Sequence, residues 1–395
     1  MATRSTLRHF LRLIIITTAC PILVWQAKKS LLQHEYKNKA VRFEQVILRH
    51  NSHVPVNEQS YSNLTGLRKG GPYVIQTKRE PANATEHTAG LGVDSEQGVT
   101  AEFTIDDWVS EIDKHEYPYI INPDDTCLVR RSIPEEILLV IAVYSAPSNR
   151  ARRDAVRHTY GNQSVWPVST EGAPMVRVVF MLGATNDKSL QSQLEEESDL
   201  YGDIVQEAFQ DTYLNLTRKT VMTLKWVTSF CRNAIYMMKV DDDVILNVER
   251  VTNFLLLSPS EDFTAGARSR RAQVMRDKRM KYYTPKHVYN LTHYEPYYMG
   301  GAGYFLSLDV AARILDVAVS TPLFPWEDIF VSMCMRELGI PITRTKHFSW
   351  SRFTVSDGRL IKDSQTETFR KNCLVGTGLP ARHMMKLWKL TQESN

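Results

Sequence analysis

Asp241, Asp242 and Asp243 stand together in the stretch MMKVDDDVILN, Met237 to Asn247, at the end of an apolar run. Adjacent ionised carboxylates repel one another, and burying them is expensive without a compensating charge. In extended chain successive side chains alternate faces, so Asp241 and Asp243 share one side and Asp242 takes the other. Two carboxylates on one side at a strand end make a hard oxygen site suited to Mg²⁺ or Mn²⁺. A divalent ion there offsets the repulsion, bridges a diphosphate and neutralises charge as that group departs. An EF-hand loop does not fit, because Leu246 occupies its glycine position and Thr252 its terminal glutamate position. A solvated acidic turn is the competing reading, and the flanking elements have to decide between the two.

Carboxylates so placed need a strand to carry them. Glu136–Ser145 (EILLVIAVYS), Met175–Gly183 (MVRVVFMLG) and Ala234–Val240 (AIYMMKV) are short apolar runs rich in β-formers. Helical periodicities lie between them. One begins near Asn186 and passes through Leu190 and Leu194; another puts Val221, Leu224, Thr228 and Cys231 on one face. Strands alternating with helices predict an α/β fold with a mainly parallel sheet. Ligands of such sheets bind at the carboxyl ends of strands, where the aspartates stand. PWEDIF opens a further helix, with Pro325 before it and Gly339 after its end. Glu327 and Asp328 in its first turn complement the helix dipole.

The 395 residues suffice for about two or three domains. With 43% hydrophobic and 23% charged residues the chain is globular in composition. A net charge of +4 and no dense basic tract argue against nucleic acid as a partner. The N-terminus differs. Arg4, Arg8 and Arg12 precede an uncharged run, Leu13 to Ala27, which Lys28 and Lys29 close. As a helix it would span about 22 Å, so flanking Lys and Arg must snorkel for it to cross a membrane. It reads as a signal anchor at 13–27 behind a cytosolic tail at 1–12; cleavage after Ala19 is the rival. The positive-inside count does not favour a cytosolic N-terminus, because Lys28, Lys29, Lys37, Lys39 and Arg42 follow the run. Sequons at Asn63, Asn83, Asn162, Asn215 and Asn290 do favour a lumenal C-terminus. So do Cys127, Cys231, Cys334 and Cys373, an even set with three pairings open, ordinary buried thiols being the alternative. Residues 28–114 are mostly polar and poorly periodic, and read as a largely flexible stem.

Four more stretches, taken with KVDDDVILN, carry a resemblance. They are RRDAVRHTY (Arg152–Tyr160), YGDIVQEAFQDTYLNLTRKTVMTLKW (Tyr201–Trp226), YEPYYMGGAGYFLS (Tyr294–Ser307) and PWEDIFVSMCMRELGI (Pro325–Ile340). In this order they resemble the β-1,3-galactosyltransferase-like family of inverting glycosyltransferases, glycosyltransferase family 31, from about Tyr117 to Trp388. The resemblance implies a GT-A-type, Rossmann-like fold with flanking helices, a UDP-sugar donor, Mn²⁺ and a type II Golgi anchor. It makes Asp243 the metal ligand and Asp241 a contact to uridine or ribose, with Lys239 supporting the donor pocket. Arg153 and Arg157 match paired arginines on the donor side, fold-stabilising ion pairing being the other reading. Gly300, Gly301 and Gly303 would let backbone approach the substrate, or make a tight turn before a strand. Asp328 would be the catalytic base, and Glu327 would position the acceptor or support Asp328. One position departs from the pattern: the family's metal-holding His is replaced by Gly376. His383 and His347 read as ordinary helix or loop histidines.

The expectation is a Golgi type II membrane enzyme whose residues 115–395 form a lumenal catalytic domain. It would move a hexose from a UDP-sugar onto a glycan of a glycoprotein or glycolipid through a β-1,3 bond. Galactose is the first choice of sugar, and N-acetylglucosamine or N-acetylgalactosamine the second. The alternative of another class is a catalytically weak paralogue that binds glycan or partners another transferase. Association with itself or with other transferases stays open.

Overall fold

The computed structural model describes residues 105–128, 137–168, 175–298, 303–345, 348 and 363–393. The expected anchor and stem lie outside the described residues, apart from 105–114, as do Asn63, Asn83, Gly300, Gly301 and His347. Among the described residues no helix is long and apolar enough to cross a membrane.

In chain order the elements are β1 (Tyr119–Ile121), β2 (Ile137–Tyr144), α1 (Arg150–Arg157), β3 (Val176–Ala184), α2 (Lys188–Tyr201), β4 (Ile204–Gln210), α3 (Leu216–Phe230) and β5 (Ala234–Asp241). Then follow β6 (Ile245–Leu246), α4 (Val248–Leu256), β7 (Thr264–Gly266), β8 (Arg268–Ser269), β9 (Tyr297–Tyr298), β10 (Tyr304–Ser307), α5 (Leu308–Ala318), α6 (Glu327–Glu337), α7 (Asp363–Asn372), β11 (Val375–Gly376) and α8 (Ala381–Glu393). The main sheet runs β1-β4-β3-β2-β5-β10-β7. Its centre, β4-β3-β2-β5, is parallel, and β1, β10 and β7 add antiparallel edges. All of β2 is buried, as a strand covered by helices on both faces requires. The three expected strands match β2, β3 and β5 to within a residue or so at each end. The short antiparallel β10 was not among them.

The folded unit begins before the expected boundary at 115. Trp108 is buried, the Leu323 amide donates to the Glu111 carbonyl at 2.7 Å, and Arg218 pairs with Asp113 at 2.7 Å. Cys127 and Cys231 form a disulfide that joins the segment after β1 to the end of α3, whereas Cys334 and Cys373 are buried and take no part in that bridge. The even set of four thus resolves into one bridge and two buried cysteines outside it. Asn162 and Asn290 are exposed. Asn215 is not a ready acceptor for a glycan: its amide donates to the Gln210 carbonyl at 2.8 Å, its oxygen accepts from Arg218 at 2.6 Å, and Thr217 of its sequon is fully buried.

Candidate active site

β5 ends at Asp241, level with Tyr144 at the end of β2, so the aspartates meet the loop that leaves β2. Asp242 turns into that loop. It is 3% exposed and accepts from Ser145 Oγ at 2.7 Å, Asn149 Nδ2 at 2.9 Å and Arg152 Nη1 at 2.8 Å. Asp241 faces elsewhere, with its Oδ1 2.8 Å from the ammonium of Lys239. Lys239 is buried, and its ammonium also lies 2.9 Å from Glu327 Oε1. Burial opposes its charge, but Asp241 and Glu327 together hold its pKa well above the ordinary range. Lys239 therefore ties the end of β5 to the first turn of α6. Glu327 is completed on its other oxygen by the Tyr304 hydroxyl at 3.2 Å and Thr220 Oγ1 at 3.5 Å. With its acceptor capacity taken up inside the protein, Glu327 holds α6 in place.

Asp328 is half-buried one residue further on, where Oδ1 accepts from the Ile329 amide at 2.9 Å and the backbone carbonyl from Ser332 Oγ at 2.8 Å. Its charge acts on the phenols of Tyr213, Tyr297 and Tyr304, and Asp241 acts on the same Tyr213. The structure thus brings Asp241, Lys239, Glu327 and Asp328 to one end of the parallel sheet.

Arg153 and Arg157, expected on the donor side, point into the protein. Arg153 is fully buried; it pairs with Glu197 at 2.7 Å and donates to the carbonyls of Ala146 and Pro147 at 2.7 and 3.1 Å. Arg157 pairs with Glu197 at 2.7 Å and Asp203 at 2.8 Å. One turn apart on α1, they share Glu197, and Arg153 also braces the loop that holds Asp242. Arg152, on a different side of α1, is the arginine beside the aspartates, and it was passed over in the sequence. The only signal was its offset by one residue from the Arg153/Arg157 face. Lys219 was also missed: buried, it donates to the Ser145 carbonyl at 2.7 Å and pairs with Asp211 at 2.9 Å. Gly303 has φ 84° because β10 runs against β5 there: a Cβ would stand 1.9 Å from the Lys239 carbonyl oxygen. Packing against β5 is thus by itself a sufficient reason for glycine at this position.

Asp243 carries the charge least compensated by protein. Burial first, then Asp241 and Asp242, push its carboxyl up to about 6 against the pull of Arg152 and Lys239. That is the mark of a place a cation would complete. Among the described residues, however, no group of three or more His, Cys, Asp and Glu is arranged to hold a metal. Gly376 pairs with Ile245 in the β11–β6 ladder, and the Leu379 amide donates to the Asp243 carbonyl at 3.0 Å. The position where the family pattern has a His thus does lie against the aspartate turn, and here it is a glycine. His383 is buried on α8. Asp243 is the carboxylate here that could hold a divalent ion, with few other protein ligands at hand.

Sequence comparison assigns the class. The galactosyltransferase family matches residues 151–346. The chain is 33% identical over 262 residues to lactosylceramide 1,3-N-acetyl-beta-D-glucosaminyltransferase A of Xenopus laevis, covering 59% of this chain and 68% of that one. It is 30% identical to UDP-GlcNAc:betaGal beta-1,3-N-acetylglucosaminyltransferase 7 of Rattus norvegicus, over 70% of this chain and 68% of the relative. It is 34% identical to beta-1,3-galactosyltransferase 1 of Mus musculus, over 58% and 68%. Two further Xenopus relatives are covered over 59% of their length. Solved structures align loosely: galactosyltransferase LgtC with donor and acceptor sugar analogues reaches a TM-score of 0.34 at 12% identity, over 64% of this chain and 95% of that one, too little to carry a fold assignment. The chain belongs to the galactosyltransferase family and is a glycosyltransferase.

Proposed function

We propose that this chain is an inverting β-1,3-glycosyltransferase of GT-A type that takes its sugar from a UDP-linked donor and works on glycans in the Golgi lumen, held there by the 13–27 anchor. The observation that carries this reading is the Asp241–Lys239–Glu327 bridge, which sets the donor-side carboxylate and the helix bearing Asp328 at one strand end. Asp241 would bind uridine or ribose, and Asp243 would hold Mn²⁺. The ion, when bound, would supply positive charge to the diphosphate. Asp328 would take the proton of the acceptor hydroxyl as its oxygen attacks the anomeric carbon and UDP leaves from the opposite face. Such general-base assistance is worth about 10²- to 10⁴-fold. Galactose is our first choice of sugar. N-acetylglucosamine and N-acetylgalactosamine follow, since the relatives named above include both galactosyl- and N-acetylglucosaminyltransferases.

Gly376 favours a second reading, in which weak metal binding leaves a poorly active glycan-binding paralogue. UDP release measured over a panel of UDP-sugars and acceptors, with Mn²⁺ and with EDTA, separates the two. Release that needs Mn²⁺ and an acceptor supports the transferase. No release with any donor, from a folded protein, sinks it.

A further inference from the structure

Beside the carboxylates stands an aromatic wall with no part in the chemistry above. Tyr213 and Tyr282 are 43% and 50% exposed, and each ring lies 6.0 Å from that of Trp326, the residue just before Glu327 and Asp328. Trp326 is itself buried; its indole N–H donates to Thr284 Oγ1 at 2.8 Å, and that oxygen lies 2.6 Å from the Tyr294 hydroxyl. The wall is therefore fixed from behind. Its inner edge is Trp326, which leads directly into Glu327 and Asp328 at the start of α6. The Lys281 ammonium sits 4.9 Å from the Tyr213 ring centroid and 5.5 Å from that of Tyr282, and among the described residues it pairs with no carboxylate.

Lys281 is not an isolated charge. Residues 268–286 hold eight Lys and Arg against one carboxylate, Asp277, a concentration of charge that corrects the sequence reading of no dense basic tract. Some of this charge is satisfied internally: Arg276 donates to the carbonyls of Thr284, Tyr289 and Leu291, and Lys278 pairs with Asp106. Arg270, Arg271, Lys281 and Lys286 are exposed.

We propose that Tyr213, Tyr282 and Lys281 form an acceptor subsite that stacks the sugar ring next to the accepting one and selects for a sulfate or carboxylate on that ring. Aromatic faces take the apolar face of a sugar, and the ammonium between them supplies the one charge that neutral sugars do not use. This rests on the transferase reading. Its test does not need turnover.

Saturation-transfer NMR, with and without UDP, compares lactose with lactose sulfated at O6 of the reducing ring. The proteins are the parent, Lys281→Glu and Tyr282→Ala, each shown folded by near-UV circular dichroism. The parent should bind the sulfated sugar about fivefold more tightly, the scale of one partly exposed ion pair. Lys281→Glu should lose that preference, as should the parent at high salt, and Tyr282→Ala should weaken binding of both sugars. Equal affinities in the parent, no binding of either sugar, or a preference that survives in Lys281→Glu overturns the subsite. Calorimetry of UDP on the parent separates the failures: absent UDP binding beside an intact sulfate preference counts against the transferase reading and leaves the subsite standing.

Discussion

Neighbouring aspartates in this chain should respond to substitution with opposite signs. Asp243 is held in the folded state with its carboxyl pushed up to about 6 from 3.8, chiefly by burial and by Asp241. At 1.36 kcal/mol per unit, a rise of this size corresponds to about 3 kcal/mol, reduced by the partial exposure of the side chain to about 1–3 kcal/mol. The sign follows from which state binds the proton more tightly. Since the folded pKa lies above the unfolded one, the penalty is absent below pH 3.8, grows as pH rises toward 6 and is complete above it. Asp243→Asn, in chelator at pH 7.5, should then be more stable than the parent, with a Tm higher by about 2–8 °C. Near pH 4 the two should melt together.

Asp242 is the opposite case. Its carboxylate accepts from Ser145, Asn149 and Arg152, and Asp242→Ala leaves those donors to find water. Arg152 can do so readily, because its side chain is 42% exposed; Ser145 is buried. The expected loss is about 2–4 kcal/mol, mostly from buried Ser145 and half-buried Asn149. Differential scanning fluorimetry across pH 4–8, in EDTA and in Mn²⁺, measures both variants. In Mn²⁺ the parent should gain stability and Asp243→Asn should not. If Asp243→Asn proves less stable than the parent in EDTA at pH 7.5, or if its gain does not change with pH, the account of the aspartate turn is refuted.

Three other outcomes are expected. Asp328→Asn should keep UDP binding by calorimetry while turnover on a working acceptor falls by about two to four powers of ten; near-parental turnover would shift the base to another group. Gly303→Ala should cost more than about 4 kcal/mol in urea unfolding, because its Cβ would meet the Lys239 carbonyl across the β10–β5 pair; a smaller loss would mean that the sheet yields there. Glycosidase treatment of the full chain made in animal cells should increase gel mobility, and mass spectrometry should find glycan at Asn162 or Asn290 and none at Asn215, whose amide is engaged; an unglycosylated protein would remove the lumenal assignment.

The strands that carry the site were legible because each is buried on both faces. A strand of that kind reads as a mostly apolar run, as β2 does throughout and β3 and β5 do apart from Arg177, Lys239 and the terminal Asp241. The aspartates then had to fall at a strand's carboxyl end. β10 was not legible, since its YFLS is too short for any period to show, and its pairing with β5 depends on Gly303 fitting against a strand far away in sequence. The order within 105–114 was hidden for a related reason: the segment is held by distant partners, Leu323 and Arg218 among them.

Within the site, residue type was a good guide to what would cluster and a poor guide to which way each group faces. An arginine in a motif reads the same whether it meets a phosphate or a buried glutamate. Only the packing of α1 against Glu197 tells Arg153 from Arg152, one position away. The same limit applies to Glu327. Adjacent carboxylates at a helix start look equivalent in sequence, yet Lys239, Tyr304 and Thr220 occupy Glu327 and leave Asp328 half-buried in reach of Tyr213 and Tyr297. Lys239 sets this division. Its buried ammonium is held by two carboxylates, and in taking Asp241 and Glu327 it joins the end of β5 to the helix that carries Asp328. The different surroundings of Glu327 and Asp328 therefore follow from satisfying one buried lysine, two residues before the aspartate turn.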